Sequence, residues 1–389
     1  MTKGTILYIG GFELPDNNAA AHRVFGVAKA LRVIGYEVVL IGVSKGPLET
    51  IEQGRREIQG FDTWSLPYPQ STKDWIEHVS SIDALSTIGG HYERVTTVIL
   101  YNYPAMALSR AMLYCRRRRI KCLCDCTEWY GMPRGLSLSA VAKAVDTVVR
   151  MRILQKRTDG VICISSYLQR YYESQTATVL VPPLVDLDEE KWRSGAVQSE
   201  SAGKTFVYSG SPGRDKDRLD VVVESLATLD ESLSYTFKVL GVTQAEYLGY
   251  YPEHREVLIR LGQRVIFLGR VPHSESLTHV RFADFTVFIR QANRANNAGF
   301  PTKFVESTAC GTPVITTETS DLGRYVHSGE NGFLVCSDAD ELGGLLADII
   351  KGEAVLDHGI DSRVFDYRSH VEGIRAFLAT LDLSGGMNV

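Results

Sequence analysis

The chain has no run approaching the ~20 unbroken apolar residues that a membrane-spanning helix needs, and its first residues lack the charged-then-apolar pattern of a leader. Both absences predict a soluble, cytoplasmic protein. Cysteine is sparse and odd in number, seven in 389 residues, which is not the arithmetic of a disulfide framework and fits a reducing compartment. No Gly-x-Gly-x-x-Gly turn follows the first strand-like segment, which argues against a nicotinamide-dependent oxidoreductase. Basic residues are not interleaved with aromatics and the formal net charge is −4, so nucleic acid is not an expected partner.

What is present is material for two cores. Hydrophobic residues make up 44% and charged ones 23%, and a chain of this length suggests two domains of roughly 150–200 residues each. Short β-branched runs alternate with longer amphipathic stretches: "TILYIGGF", then "AAAHRVFGVAKALRVIG", whose apolar positions recur at three and four until Gly35, then "YEVVLIGV", "VTTVILYNY", "KCLCDCT" and "DGVICISSY". Apolar strands alternating with helices predict a parallel sheet covered on both faces. Pro182 and Pro183 break the rhythm, which restarts with "TFVYSG", "YTFKVLG", "RVIFLGRV", "DFTVFIR" and "TPVITTE". The expected organisation is a doubly wound domain over 1–184, a linker over 185–204, a second doubly wound domain over 205–365, and a last helix over 366–389 packing back toward the first domain. Two such domains facing each other would leave a ligand cleft at the carboxyl ends of their strands.

Charge is unevenly spread. Residues 1–184 carry 22 Lys and Arg against 16 Asp and Glu, a balance of +6, and the remainder carries 20 against 30, a balance of −10. The excess concentrates in 101–157, including Arg116 to Arg119, and suits either a solvated helix end or attraction to an anionic surface, a membrane leaflet in peripheral contact or a phosphate-bearing acceptor. Cys122, Cys124 and Cys126 alternate along "KCLCDCT" and read as core thiols in preference to a metal site, because zinc pairs use wider gaps. The acid triplets Asp215/Asp217, Asp186/Asp188 and Asp338/Asp340 end no apolar strand, so no metal requirement is inferred from them.

The stretch "NNAGFPTKFVESTACGTPVI", 296–315, reads as a loop, a short helix and a strand. Pro301 suits a first helical position, and the free N–H groups of that turn, the dipole and Lys303 together favour a phosphate. Gly299 permits close backbone approach, and Glu306 lies three residues beyond Lys303 on the same face. A second basic loop, "SGSPGRDKD", follows the second domain's first strand, with Gly210 loosening it and Arg214 and Lys216 supplying charge. Together they read as a nucleoside-diphosphate cradle.

These motifs, in this order over about 205–340, resemble those of family 4 retaining glycosyltransferases of the GT-B fold: a Gly-Arg-Leu-x3-Lys-Gly-like loop, the "FLGRV" strand end, and a Glu-x7-Glu element before a Gly-Thr-Pro turn. The resemblance implies metal-independent, retaining transfer from a UDP- or GDP-linked sugar to a glycan or lipid-linked hydroxyl, with surface polysaccharide or glycolipid synthesis as the pathway. It implies that Glu306 holds the donor ribose, that Lys216, Arg214 and Lys303 stabilise the departing diphosphate, and that backbone at Arg270 and Val271 meets the base. Phe300, Pro301 and Thr302 then lie along the diphosphate and donor sugar. Two positions depart from the pattern: the first motif glutamate is Ala298, and the loop arginine falls at Ser211. A catalytically silent, nucleotide-sugar-binding or partner-stabilising subunit is the alternative reading.

The first domain is expected to supply the acceptor side. Gly10 and Gly11 follow its first strand, Asn18, His22 and Arg23 stand near the start of the next helix, and Asp125, Glu128, Trp129 and Tyr130 follow another strand. Carboxylates beside aromatics suit carbohydrate. Asp125 and Glu128, with Gly10, Gly11, Asn18 and His22, are the candidate acceptor or sugar contacts.

Overall fold

A computed structural model of the chain describes residues 2–15, 18–48, 50–131, 137–192, 203–212 and 216–385. These form two compact units, one of residues 1–185, 298–300 and 367–389, the other of 186–297 and 301–366.

The first unit is built on a sheet whose strands are β1 (Thr5–Gly10), β2 (Glu37–Ser44), β3 (Arg55–Ile58), β4 (Phe61–Pro67), β5 (Val95–Tyr101), β6 (Lys121–Cys126), β7 (Gly160–Cys163) and β8 (Ala177–Leu180). Their order is β3-β4-β2-β1-β5-β6-β7-β8, parallel except where β3 returns beside β4. That hairpin is not foreseen by the sequence reading, because "RREIQG" has no apolar alternation. Its turn is made instead by Gln59 and Gly60, at φ 53° and 74°, the primed geometry that two-residue hairpins favour. Strand β6 is buried along nearly its whole length, so Cys122, Cys124 and Cys126 are buried free thiols as expected of core positions.

The helix Ala19–Ile34 starts where the Asn18 side chain accepts from the Ala21 N–H, and stops at Gly35, whose φ of 109° lets its N–H close the last carbonyls. Its inner face, including Val24, Val27 and Leu31, packs with Ile6, Tyr8 and Leu40 of the sheet. Ile374, Phe377, Leu378 and Leu381 of the terminal helix Val371–Gly385 complete the same core. Each such side chain gains roughly 1.5–3 kcal/mol from burial.

The second unit's strands are β9 (Lys204–Ser209), β10 (Tyr235–Leu240), β11 (Val265–Gly269), β12 (Phe285–Phe288), β13 (Val314–Thr317) and β14 (Gly332–Val335). They run parallel in the order β11-β10-β9-β12-β13-β14. Both sheets thus reverse their strand order beside their first strand, at β1/β5 and at β9/β12, the kind of switch point at which open parallel sheets bind ligands. Among the described residues no helix is long and apolar enough to cross a membrane.

Candidate functional site

The reversal point of the second sheet carries a buried charge cluster. The loop after β9 and the loop after β12 are tied through the backbone, with Arg218 N–H donating to the Ile289 carbonyl at 2.7 Å. This brings Asp217 against Arg290, which are 2% and 3% exposed. The Asp217 carboxylate lies 3.2 Å from Arg290 Nε and 2.8 Å from Lys303 Nζ, and accepts from the Tyr208 hydroxyl at 2.8 Å. Arg290 Nη2 donates to Asn296 Oδ1 at 3.0 Å, while its Nη1 is buried with no hydrogen-bond partner among the described residues. Two cations on one carboxylate leave the cluster with a formal charge of +1. A buried guanidinium with an unfilled donor suits an anion.

Burial pushes the Asp217 carboxyl up, but Lys303 and Arg290 outweigh it and hold the pKa below its ordinary 3.8. The folded pKa being lower than the unfolded one, this carboxylate contributes stability that is complete above about pH 4 and lost as pH falls through the folded value. Asp217→Asn should therefore flatten the acid limb of a stability-versus-pH curve below about pH 4; an unchanged acid limb in denaturant titrations would remove this role.

Gly210, at the end of β9, has φ 125°, and a Cβ there would come within 2.8 Å of Lys303 Nζ. The positive φ favours glycine there, and a Cβ would also push the end of the Lys303 side chain from its place. Lys303 sits in the helix Thr302–Ala309, which Pro301 precedes as cap residue, in place of the first helical position expected from the sequence. Glu306, on the same helix, lies 3.2 Å from His273 Nε2, where the helix His273–Arg281 begins after β11. Arg270 and Val271 follow β11 directly, Arg270 exposed and Val271 packed against Val207 and Leu240. Gly299 and the buried Phe300 lie in the short segment before Pro301, and Thr302 opens the helix half-buried. Lys216 is exposed, and its carbonyl accepts from Asn296. Arg214 lies outside the described residues. Asp338, of a discounted acid triplet, caps the helix Ala339–Lys351.

Sequence reasoning missed Arg290, Asn296, Tyr208 and His273, and discounted Asp217 as a chance triplet member. The available signal was an arginine at the end of an apolar strand, "DFTVFIR", where an unpaired charge cannot be buried.

The first unit has its own cavity, of about 690 Å³, at the β1/β5 reversal point. Gly10 and Gly11 line it, with Glu128 and Tyr130. Gly10 also permits close strand pairing, since a Cβ there would meet Tyr101 Cβ at 2.6 Å. Other expected acceptor contacts have different work. Asp125 is wholly buried, paired in two-point fashion with Arg23 (Nη2 to Oδ1 2.6 Å) and accepting from Tyr8, so it is a structural carboxylate and does not face the cavity. Arg23 extends the network to the Val181 carbonyl at 2.8 Å. Asn18 is the cap of its helix and His22, half-buried on that helix, is not among the cavity walls. Trp129 packs edge-on against Tyr167 and Tyr171 at 6.0 and 5.0 Å.

With this geometry in hand, residues 203–351 match the family model described as glycosyl transferases group 1. No curated protein matches the sequence. Among solved structures, sucrose-phosphate synthase from Thermosynechococcus elongatus is 18% identical with a TM-score of 0.67, over 99% of this chain and 98% of that one. The Anabaena protein HepE in complex with UDP and glucose is 16% identical with a TM-score of 0.64, over 97% and 100%. The UDP-forming α,α-trehalose-phosphate synthase of Burkholderia vietnamiensis is 11% identical with a TM-score of 0.65, over 100% of both. At these identities the likeness is one of fold. The chain has the two Rossmann-like parallel-sheet units of GT-B glycosyltransferases, and its second unit carries the group 1 glycosyltransferase match.

Proposed function

We propose that the protein is a retaining glycosyltransferase that moves a sugar from a nucleoside-diphosphate sugar to a glycan or lipid-linked hydroxyl, without an essential metal. The observation that carries the reading is the cluster of half-buried Lys303 with buried Asp217 and Arg290 at the β9/β12 reversal point, within the matched segment 203–351. A diphosphate leaving group needs fixed positive charge where its own charge develops, and preorganised cations supply it without reorganisation. Lys303, Arg290 and Lys216 take that part, Arg214 joining them from the same loop, while Glu306, steadied by His273, accepts from the ribose diol. The Anabaena structure bound to UDP-glucose supports a nucleotide-sugar donor of this kind.

Calorimetric titration of UDP, GDP and ADP should show selective binding of one of them, weakened at least about tenfold in Glu306→Ala by loss of a charged hydrogen bond. Absence of binding to all three would refute the donor site. A silent nucleotide-sugar-binding subunit is the second reading, favoured by Ala298, which is wholly buried where the motif places a glutamate. Turnover of any nucleotide sugar would dismiss it.

The membrane contact proposed for 101–157 rests on the surface of that segment. Arg116 to Arg119 are exposed at the end of the helix Ala105–Arg118, and Met106, Leu113, Val141, Val145 and Ile153 expose apolar side chains nearby in sequence. Basic residues near an acidic leaflet contribute about 1 kcal/mol each. Replacing Arg116 to Arg119 by Gln should reduce co-sedimentation with phosphatidylserine-containing vesicles by at least about a hundredfold in partition constant; undiminished binding would exclude this surface.

A further inference from the structure

We infer that the cavity of the first unit takes an uncharged saccharide and excludes phosphorylated or otherwise anionic sugars, an inference that rests on the transferase reading and names the acceptor class. The argument begins with charge. Among the described residues the cavity wall contains no Lys or Arg, and it presents the carboxylates of Glu77, Asp83 and Glu128. All three residues are exposed. A fourth carboxylate, Asp74, is already engaged by the N–H groups of Gln70 and Ser71 at 3.1 and 2.9 Å.

The two buried arginines of this part of the sheet do not relieve the imbalance. Arg23 is committed to Asp125, and Arg150 donates to the Asn102 carbonyl at 3.1 Å with its guanidinium 4.2 Å from the Tyr130 ring centroid. Neither contributes to the wall. His78 also lines the wall, but burial lowers its pKa below the ordinary 6.5 and favours the neutral ring, so among the described residues a phosphate entering here would meet carboxylates with no Lys or Arg to compensate them. Like charges facing each other across a binding surface are the usual means of rejecting a wrong partner.

The rest of the wall suits a polyhydroxylated ring. Tyr68, Tyr101, Tyr103 and Tyr130 provide aromatic surface with polar tips. Burial pushes the Tyr101 and Tyr103 phenols up to about 12, so they stay protonated and can donate to, or accept from, sugar hydroxyls. The carboxylates are acceptors only and match hydroxyl donors. Val43, Ile51 and Leu66 add an aliphatic portion, and the 690 Å³ volume falls within the roughly 300–1,000 Å³ of pockets that enclose drug-sized ligands. The occupant is thus a neutral sugar with an apolar substituent or a second ring, held by hydroxyl contacts and apolar surface without ion pairing.

The test titrates hexyl β-D-glucopyranoside, below its micellar concentration, and glucose 6-phosphate into the full chain, with binding read by saturation-transfer NMR. UDP and GDP are titrated on the same sample, so that the donor unit is read separately. The glucoside should bind and the phosphate should bind at least about tenfold more weakly. Tyr103→Ala should weaken the glucoside, and the pair Glu77→Lys with Asp83→Lys, both on exposed helix positions, should admit glucose 6-phosphate while leaving nucleotide binding in place. Equal or tighter binding of glucose 6-phosphate by the unaltered protein, or no binding of the glucoside, overturns the proposed acceptor class. If nucleotide binding persists in that case the transferase reading stands without it; loss of nucleotide binding as well overturns both.

Discussion

Asp125→Ala is expected to lower the stability of the protein by about 3–5 kcal/mol, because it strands the Arg23 guanidinium in a site from which water is excluded. The pair is buried on both sides, at 3% and 0% side-chain exposure, and Arg23 Nε lies 3.0 Å from each carboxylate oxygen. Burial lowers the Arg23 pKa, but Asp125 more than offsets this and raises it, so the cation persists in the native state. Tyr8 also donates to the same carboxylate and would lose its partner. The loss is one of removing a single member, so Asp125→Leu combined with Arg23→Met should recover much of the stability. Urea titration followed by far-UV circular dichroism measures both variants. A single-variant change under about 1 kcal/mol would show that the network has solvent access and that Asp125 could serve a ligand after all.

The same residue illustrates where the sequence is readable. Alternating β-branched runs and three-four helical spacing locate the parallel strands because both are local consequences of backbone geometry. The hairpin of β3 and β4 escapes, since an exposed edge strand such as Arg55–Ile58 has no apolar face to announce it. Asp125 beside Glu128 looks like a carboxylate pair in one dimension, but strand β6 buries Asp125 and leaves Glu128 exposed at the strand's end. Pleat and depth, set by the neighbouring strands, separate a structural carboxylate from one that faces a cavity. Lys303 and Glu306 are legible because they share one helix. Arg290 and Asp217 are not, since they lie 73 positions apart in the chain and meet only when β9 and β12 become neighbours.

Lys303→Ala is expected to weaken nucleoside-diphosphate binding by about 10- to 150-fold, the range for one charged hydrogen bond to phosphate, while Lys303→Arg restores part of it. The reasoning turns on the balance within the cluster. With Lys303 present, two cations share the Asp217 carboxylate, and one positive charge is left for a ligand. Without it, Arg290 and Asp217 cancel, and the electrostatic attraction to a diphosphate falls away. Asp217→Asn works in the opposite direction: it leaves both cations uncompensated, so affinity for the diphosphate should hold or rise even as the folded state loses stability. A merely structural lysine would give the same sign in both variants, with binding falling in step with stability. Calorimetry at two ionic strengths distinguishes the cases, because attraction by net charge weakens with salt whereas a packing defect does not. Parallel losses of binding in Lys303→Ala and Asp217→Asn, insensitive to salt, would move the diphosphate away from this cluster.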